Sequence, residues 1–243
     1  MRPDPSPSSE PTPEACGEHA HGWEVPRDIV IAPRRAFAGI AAHGAWLPSY
    51  VVLVVCGLAY VALAAPALEH ATFVELTRNG ARALTAPAPQ LARESLIDSA
   101  VASAVQPLWI AAFLGATACL LARLRDRGHP APRLGVCFAL AVASAIPAAL
   151  GNLLSGIPVA ARGATHYPTF GLLATALPIN LGVFAPEHAE TQRIFLASFG
   201  LFDLWSAILF ADGLATIAEI PLAVGLVLAL AVDVLAALYF LLG

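Results

Sequence analysis

Apolar residues run almost unbroken through several stretches of this chain, separated by short polar segments. A helix needs about 20 apolar residues to cross a hydrocarbon core of ~30 Å. Residues 47–68 meet that length; Pro48 suits a first helical turn, and Trp46 and Tyr50 suit interface depth. Residues 101–122 (with Pro107, Trp109 and Gly115) and 134–154 (with Pro147) do so as well. From Ile194 the apolar character continues nearly to the last residue, about twice one crossing. The stretch AEIP at 218–221 divides it, because Glu219 is polar and Pro221 disfavours helix in the residue before it. Spans over 194–217 and 221–242 result, five in all. Residues 169–185, TFGLLATALPINLGVFA, are apolar but short and broken by Pro178 and Asn180, which predicts a half-inserted or interface-lying segment.

The chain before these spans reads differently. Residues 1–28 are rich in Pro, Ser and Glu and lack the apolar mass that offsets ordering entropy, so a disordered cytoplasmic tail is expected, leaving 29–243 as the membrane domain. No basic region leads into an apolar one there, so a cleavable signal peptide is not expected. Arg34 and Arg35, followed by Phe37 and Ile40, predict a short interfacial helix with its arginines toward headgroups. The expected fold is thus all-α: a bundle of about five transmembrane helices preceded by an interfacial helix and the tail.

Composition agrees: 58% of residues are hydrophobic and 12% charged, with a mean hydropathy of +0.72. Soluble domains carry roughly 25% charged residues, so this chain has too little charge to cover a globular surface. The net charge of −4 excludes a nucleic-acid binder of the usual basic kind. All 13 basic residues are Arg, which with the abundance of Ala suits a bacterial origin and a bacterial cytoplasmic membrane. The densest basic segment, 123–133, holds Arg123, Arg125, Arg127 and Arg133. Basic loops stay cytoplasmic, which puts the N-terminus inside and the C-terminus outside.

Catalytic patterns are missing. The chain has no Gly-rich phosphate loop with Lys, no His-Glu-x-x-His helix and no Gly-x-Ser-x-Gly turn. His70, His166 and His188 are scattered, and the tail pair His19 and His21 more simply faces solvent than metal. Cys16, Cys56, Cys119 and Cys137 lack metal-ligand spacing; the last three suit apolar packing. Neither an enzyme nor a cofactor is expected.

Two patches resemble one family. The stretch APRRAFAGIAAHGAWLPSYVV (32–52) carries Pro-x-x-x-Phe-x-x-Ile before an opening span. The stretch GLFDLWSAILFADGLA (200–215) is similar to the Asp-Leu-aromatic pattern, closed by a Gly, in the fourth span of the Yip family of Ypt- and Rab-interacting membrane proteins. The resemblance implies five spans, a cytoplasmic N-terminus and an external or lumenal C-terminus. It sets Asp203, Trp205 and Gly213 on motif positions, whereas Asp212 departs from a position that is usually apolar. Family members in eukaryotes act in vesicle trafficking with Rab GTPases, partners that a bacterial chain lacks.

Asp203, Asp212 and Asp233 remain to be explained. A carboxylate at mid-bilayer costs about 2.5–3.5 kcal/mol, so such groups turn to the bundle interior or to water. Nine residues make about two and a half helical turns, so Asp203 and Asp212 point apart and form no dyad. Asp212, Thr216 and Glu219 share a face. Protonated carboxyls bonded to nearby groups are expected, with Ser198, Ser206 or Asn152 as partners of Asp203. The expectation is a non-catalytic, Yip-like scaffold whose partners are lipids, other membrane proteins or further copies of itself. The alternative is a small-solute or ion-coupled transporter using Asp203 and Asp233. Ala111, Gly115 and Cys119, four residues apart, offer a close-packing face for the scaffold.

Overall fold

A computed structural model describes residues 22–78, 88–125, 132–186 and 189–242. The pair His19 and His21, Cys16, His188 and the centre of the basic loop with Arg127 lie outside them. Among the described residues the regular structure is helical: α1 (Val25–Ile31), α2 (Pro33–His43), α3 (Leu47–Arg78), α4 (Ala88–Leu124), α5 (Leu134–Ser144), α6 (Ile146–Arg162), α7 (Phe170–Ala174), α8 (Glu190–Ala197), α9 (Leu201–Ala218) and α10 (Leu222–Leu242). Four helical units are long and apolar enough to cross a membrane: α3, residues 93–124 of α4, α5 with α6, and α9. The described residues thus form an all-helical framework with the long apolar helices of an integral membrane protein. Residues 222–238 of α10 form a fifth, shorter apolar helix.

Helix limits depart from the expected spans where polar residues do not break helices. α3 continues ten residues past position 68, through Glu69, His70 and Glu75, and α4 starts well before 101. Hydropathy marks where a helix leaves the hydrocarbon, not where it ends, and Ala, Leu and Glu in these extensions are good helix formers. α5 gives way to α6 at Ala145, with Pro147 in the first turn of the new helix, so the third unit is jointed. The fourth span begins at Leu201 rather than Ile194, because Gly200 is extended and pairs with Asn180 in an isolated antiparallel bridge. α9 stops at Ala218, where the Glu219 and Ile220 N–H groups both reach the Leu214 carbonyl. Glu219 is left-handed at φ 53°, and Pro221 keeps the chain from continuing. The segment 169–185 holds no helix long enough to cross a membrane; it folds as α7 and a 3-10 turn over Leu181–Phe184.

Small residues let the helices close up. α4 packs on α5 with Ala111, Gly115 and Cys119 buried, and a Cβ added at Gly115 would lie 2.9 Å from both N and Cα of Phe138. Since that obstacle is backbone, Gly115→Ala is expected to push α4 off α5 and cost about 1–3 kcal/mol, read as a lowered melting temperature in mild detergent. Gly57 meets Ser103 between α3 and α4 in the same way, and Gly225 meets the Ala211 backbone between α9 and α10.

Contacts at the helix ends sort them into two groups. A Cβ added at Gly44 would lie 3.9 Å from the Gly135 carbonyl, Trp46 meets Phe138 at 5.4 Å between ring centroids, and Arg125 donates to the Glu219 carbonyl. This end therefore gathers α1, α2 and the flanks of the basic loop. At the opposite end Arg78 Nη1 lies 3.7 Å from Glu190 Oε2, while Thr72 and Ser95 hydroxyls meet at 3.3 Å.

Candidate functional site

α2 is short and amphipathic, and Pro33 supplies its first turn. Its apolar side, with Ala36, Phe37 and Ile40 wholly buried, packs on α5 and α9. On α9 the facing residue is Gly213. A Cβ there would fall 2.3 Å from Leu140 Cδ1 and 3.0 Å from Phe37 Cε1, and both side chains are fully buried. Phe37 and Gly213, distant in sequence and drawn from the two patches quoted above, therefore meet in one packed junction. Phe210 and Leu214 are buried beside Gly213.

At the other end of α9, Asp203 occupies the third helical position. Its Oδ2 accepts the Gly200 N–H at 2.9 Å, tying down one of the donors that a helix start leaves free. The side-chain partners expected for it are engaged or turned away. The Ser206 hydroxyl accepts the Ala148 N–H at 3.1 Å, Ser198 donates to Ile194 O at 3.4 Å, and Asn152 is exposed. The break before α9 explains the difference: it leaves a bare backbone donor one turn from the carboxylate. Asp203→Ala is expected to cost about 0.5–2 kcal/mol, whereas Asp203→Asn keeps an acceptor and loses less, both measurable as shifts in melting temperature.

Asp233 stands opposite. α9 and α10 are antiparallel, with Ala211 against Gly225; Asp203 lies eight residues before the first and Asp233 eight after the second. Asp212 is on the far side of the unbroken α9, half-buried, and its carbonyl accepts the Thr216 hydroxyl at 2.9 Å. Glu219 has left the helix, so the expected acidic face is reduced to Asp212 and Thr216. Trp205 is half-buried with its ring inclined 26° to that of Phe202, centroids 6.3 Å apart.

The arginines of α2 divide. Arg34 is exposed, but Arg35 turns back along the chain instead of reaching only toward headgroups. Its Nε lies 3.2 Å from Asp28 Oδ2 and its Nη2 3.2 Å from Glu24 Oε2. Arg27 Nε donates to Asp28 Oδ1 at 3.0 Å. The Arg35–Asp28 contact has the distance of an ion pair without the alignment of a hydrogen bond. Asp28 is buried, along with Val25 and Ile29 on the same helix. The sequence reading missed this cluster because it assigned 1–28 to the tail, yet α1 begins at Val25. A signal was present: Val25 and Ile29 are one turn apart, and Pro26 suits a helix start.

Cys56, Cys119 and Cys137 are free and buried, and Cys119 Sγ donates to Pro132 O at 3.6 Å. Among the described residues no three His, Cys, Asp or Glu side chains gather as a metal site would require. No family model, curated protein or solved structure matches the chain.

Proposed function

We propose that this chain is a non-catalytic, Yip-like membrane scaffold. It has five crossings, α10 being the fifth, and sits in a bacterial cytoplasmic membrane with the α1–α2 end cytoplasmic. The observation that carries this reading is the junction of Phe37 with Gly213, which makes one packed unit of the only two patches that resemble the family. Arginines support the orientation, since Arg27, Arg34, Arg35 and Arg125 share one end with the flanks of the basic loop. α1 and α2 suit an interfacial position there, with Trp23 and Ile31 exposed beside Arg27 and Arg34. That end presents the surface for partner membrane proteins or a second copy, and lipids cover the flanks of the bundle.

Purification of the tagged chain from its native membrane tests this. A stoichiometric membrane-protein partner or a defined homo-oligomer, retained when Asp203 and Asp233 become Asn, is the expected result. A monodisperse single chain with no companion would contradict it.

The second reading, a solute or ion-coupled transporter, draws on one observation: Asp203 and Asp233 sit at the same level of two adjoining helices. Asp203, however, already serves the start of α9 through Gly200.

A further inference from the structure

Residues 179–184 form a loop in which four of the side chains are apolar and face outward. Phe184 is 81% exposed, and Ile179, Leu181 and Val183 are exposed with it. Not one charged residue occurs between Thr169 and Ala185. An exposed apolar patch of this kind marks an interaction surface.

The loop is tied to the bundle through its backbone. Leu181 N–H donates to Phe199 O and Leu201 N–H to Ile179 O, both at 3.1 Å. Asn180 donates from Nδ2 to Ala174 O at 3.0 Å and accepts Gly182 N–H on Oδ1 at 3.1 Å. Gly182 presses on α8, where an added Cβ would come within 2.7 Å of Arg193 O. The buried Arg193 in turn donates from Nη2 to Ala185 O at 3.4 Å. Backbone that enters apolar surroundings must have its polar groups satisfied internally, and these bonds do much of that.

One further observation identifies the occupant. Leu201 is bridged directly to Ile179, and from it an exposed apolar stripe, Leu201, Leu204 and Ile208, runs along α9. α9 is one of the membrane-crossing helices, so this stripe faces lipid and the loop's apolar side chains continue the same surface.

We propose that the 179–184 loop is a shallow lipid anchor: Ile179, Leu181, Val183 and Phe184 dip into the acyl region of the leaflet at the end of the bundle away from α1 and α2. Elements of this kind bury themselves about 5–10 Å into the headgroup–acyl boundary. The anchor fixes the depth of the α9 start, where Gly200 and Asp203 meet. It rests on the membrane placement of α9, and the test separates the two.

A photoreactive benzoylphenylalanine is placed at Phe184, and in a second sample at Ile208, in the full chain in phosphatidylcholine–phosphatidylglycerol nanodiscs. On irradiation, both samples should gain the mass of one phospholipid. A lipid adduct at 208 with none at 184, or a cross-link from 184 to a second copy of the chain, would overturn the anchor. Lipid adducts at neither position would overturn the placement of α9 itself.

Discussion

Phe37→Ala should destabilise the folded protein by about 3–5 kcal/mol, the range for truncating a buried Phe whose site cannot collapse. Phe37 is wholly buried, and its ring abuts α9 at the one place where Gly213 leaves room for it. Much of the loss is a cavity between α2, α5 and α9, so it persists even where lipid rather than water surrounds the bundle. Gly213→Ala should cost about 1–3 kcal/mol alone, because its methyl group would be forced onto Leu140 and Phe37. In the Phe37→Ala background Leu140, the nearer obstacle, can shift into the vacated volume and make room for the same methyl group. A double-mutant cycle should therefore show coupling of about 0.5–3 kcal/mol, in the direction of mutual relief. Additive losses in melting experiments on the purified protein would mean that the two patches do not form one junction.

The Arg27→Ala and Arg35→Ala pair is the second large effect expected. Asp28 is buried and has both guanidinium groups as its neighbours. Removing both strands the carboxylate, at a cost of about 3–5 kcal/mol for an unpaired buried charge. Either single substitution should cost far less, since the other arginine stays in place. Adding Asp28→Asn to the double variant should restore part of the stability, because no buried charge then remains. The measurement is thermal unfolding of the four variants beside the wild type; equal losses from either single change and the pair would show that the cluster is incidental.

Much of the architecture was legible in sequence because a bilayer imposes a length on apolar helices. The spans of α3, α4 and α5–α6 follow from that length alone, and the α9–α10 turn follows from Glu219 and Pro221. What hydropathy does not encode is helix continuation past the hydrocarbon, hence the long polar ends of α3 and α4. Nor does it encode the interruption at Gly200, which depends on a pairing with Asn180 twenty residues earlier. Helical periodicity separated Asp203 from Asp212, and the continuous α9 keeps them apart. It could not pair Asp203 with a backbone N–H, since the free donor exists only where the helix starts. Asp233 appeared isolated in sequence; only the register of α9 on α10 sets it level with Asp203. Asp28 was hidden by its polar flank, because a helix of seven residues carries little apolar signal of its own.

Whether these carboxyl groups specify the fold or carry an ion is decided most directly by flux. The purified chain is reconstituted into vesicles holding a pH-sensitive dye, and a proton or cation gradient is applied across them. Wild type, Asp203→Asn and Asp233→Asn, each shown to be folded by its melting transition, should relax the gradient no faster than protein-free vesicles. A gradient-dependent flux through the wild type that is lost in either folded Asn variant would contradict the scaffold and make the chain a carrier.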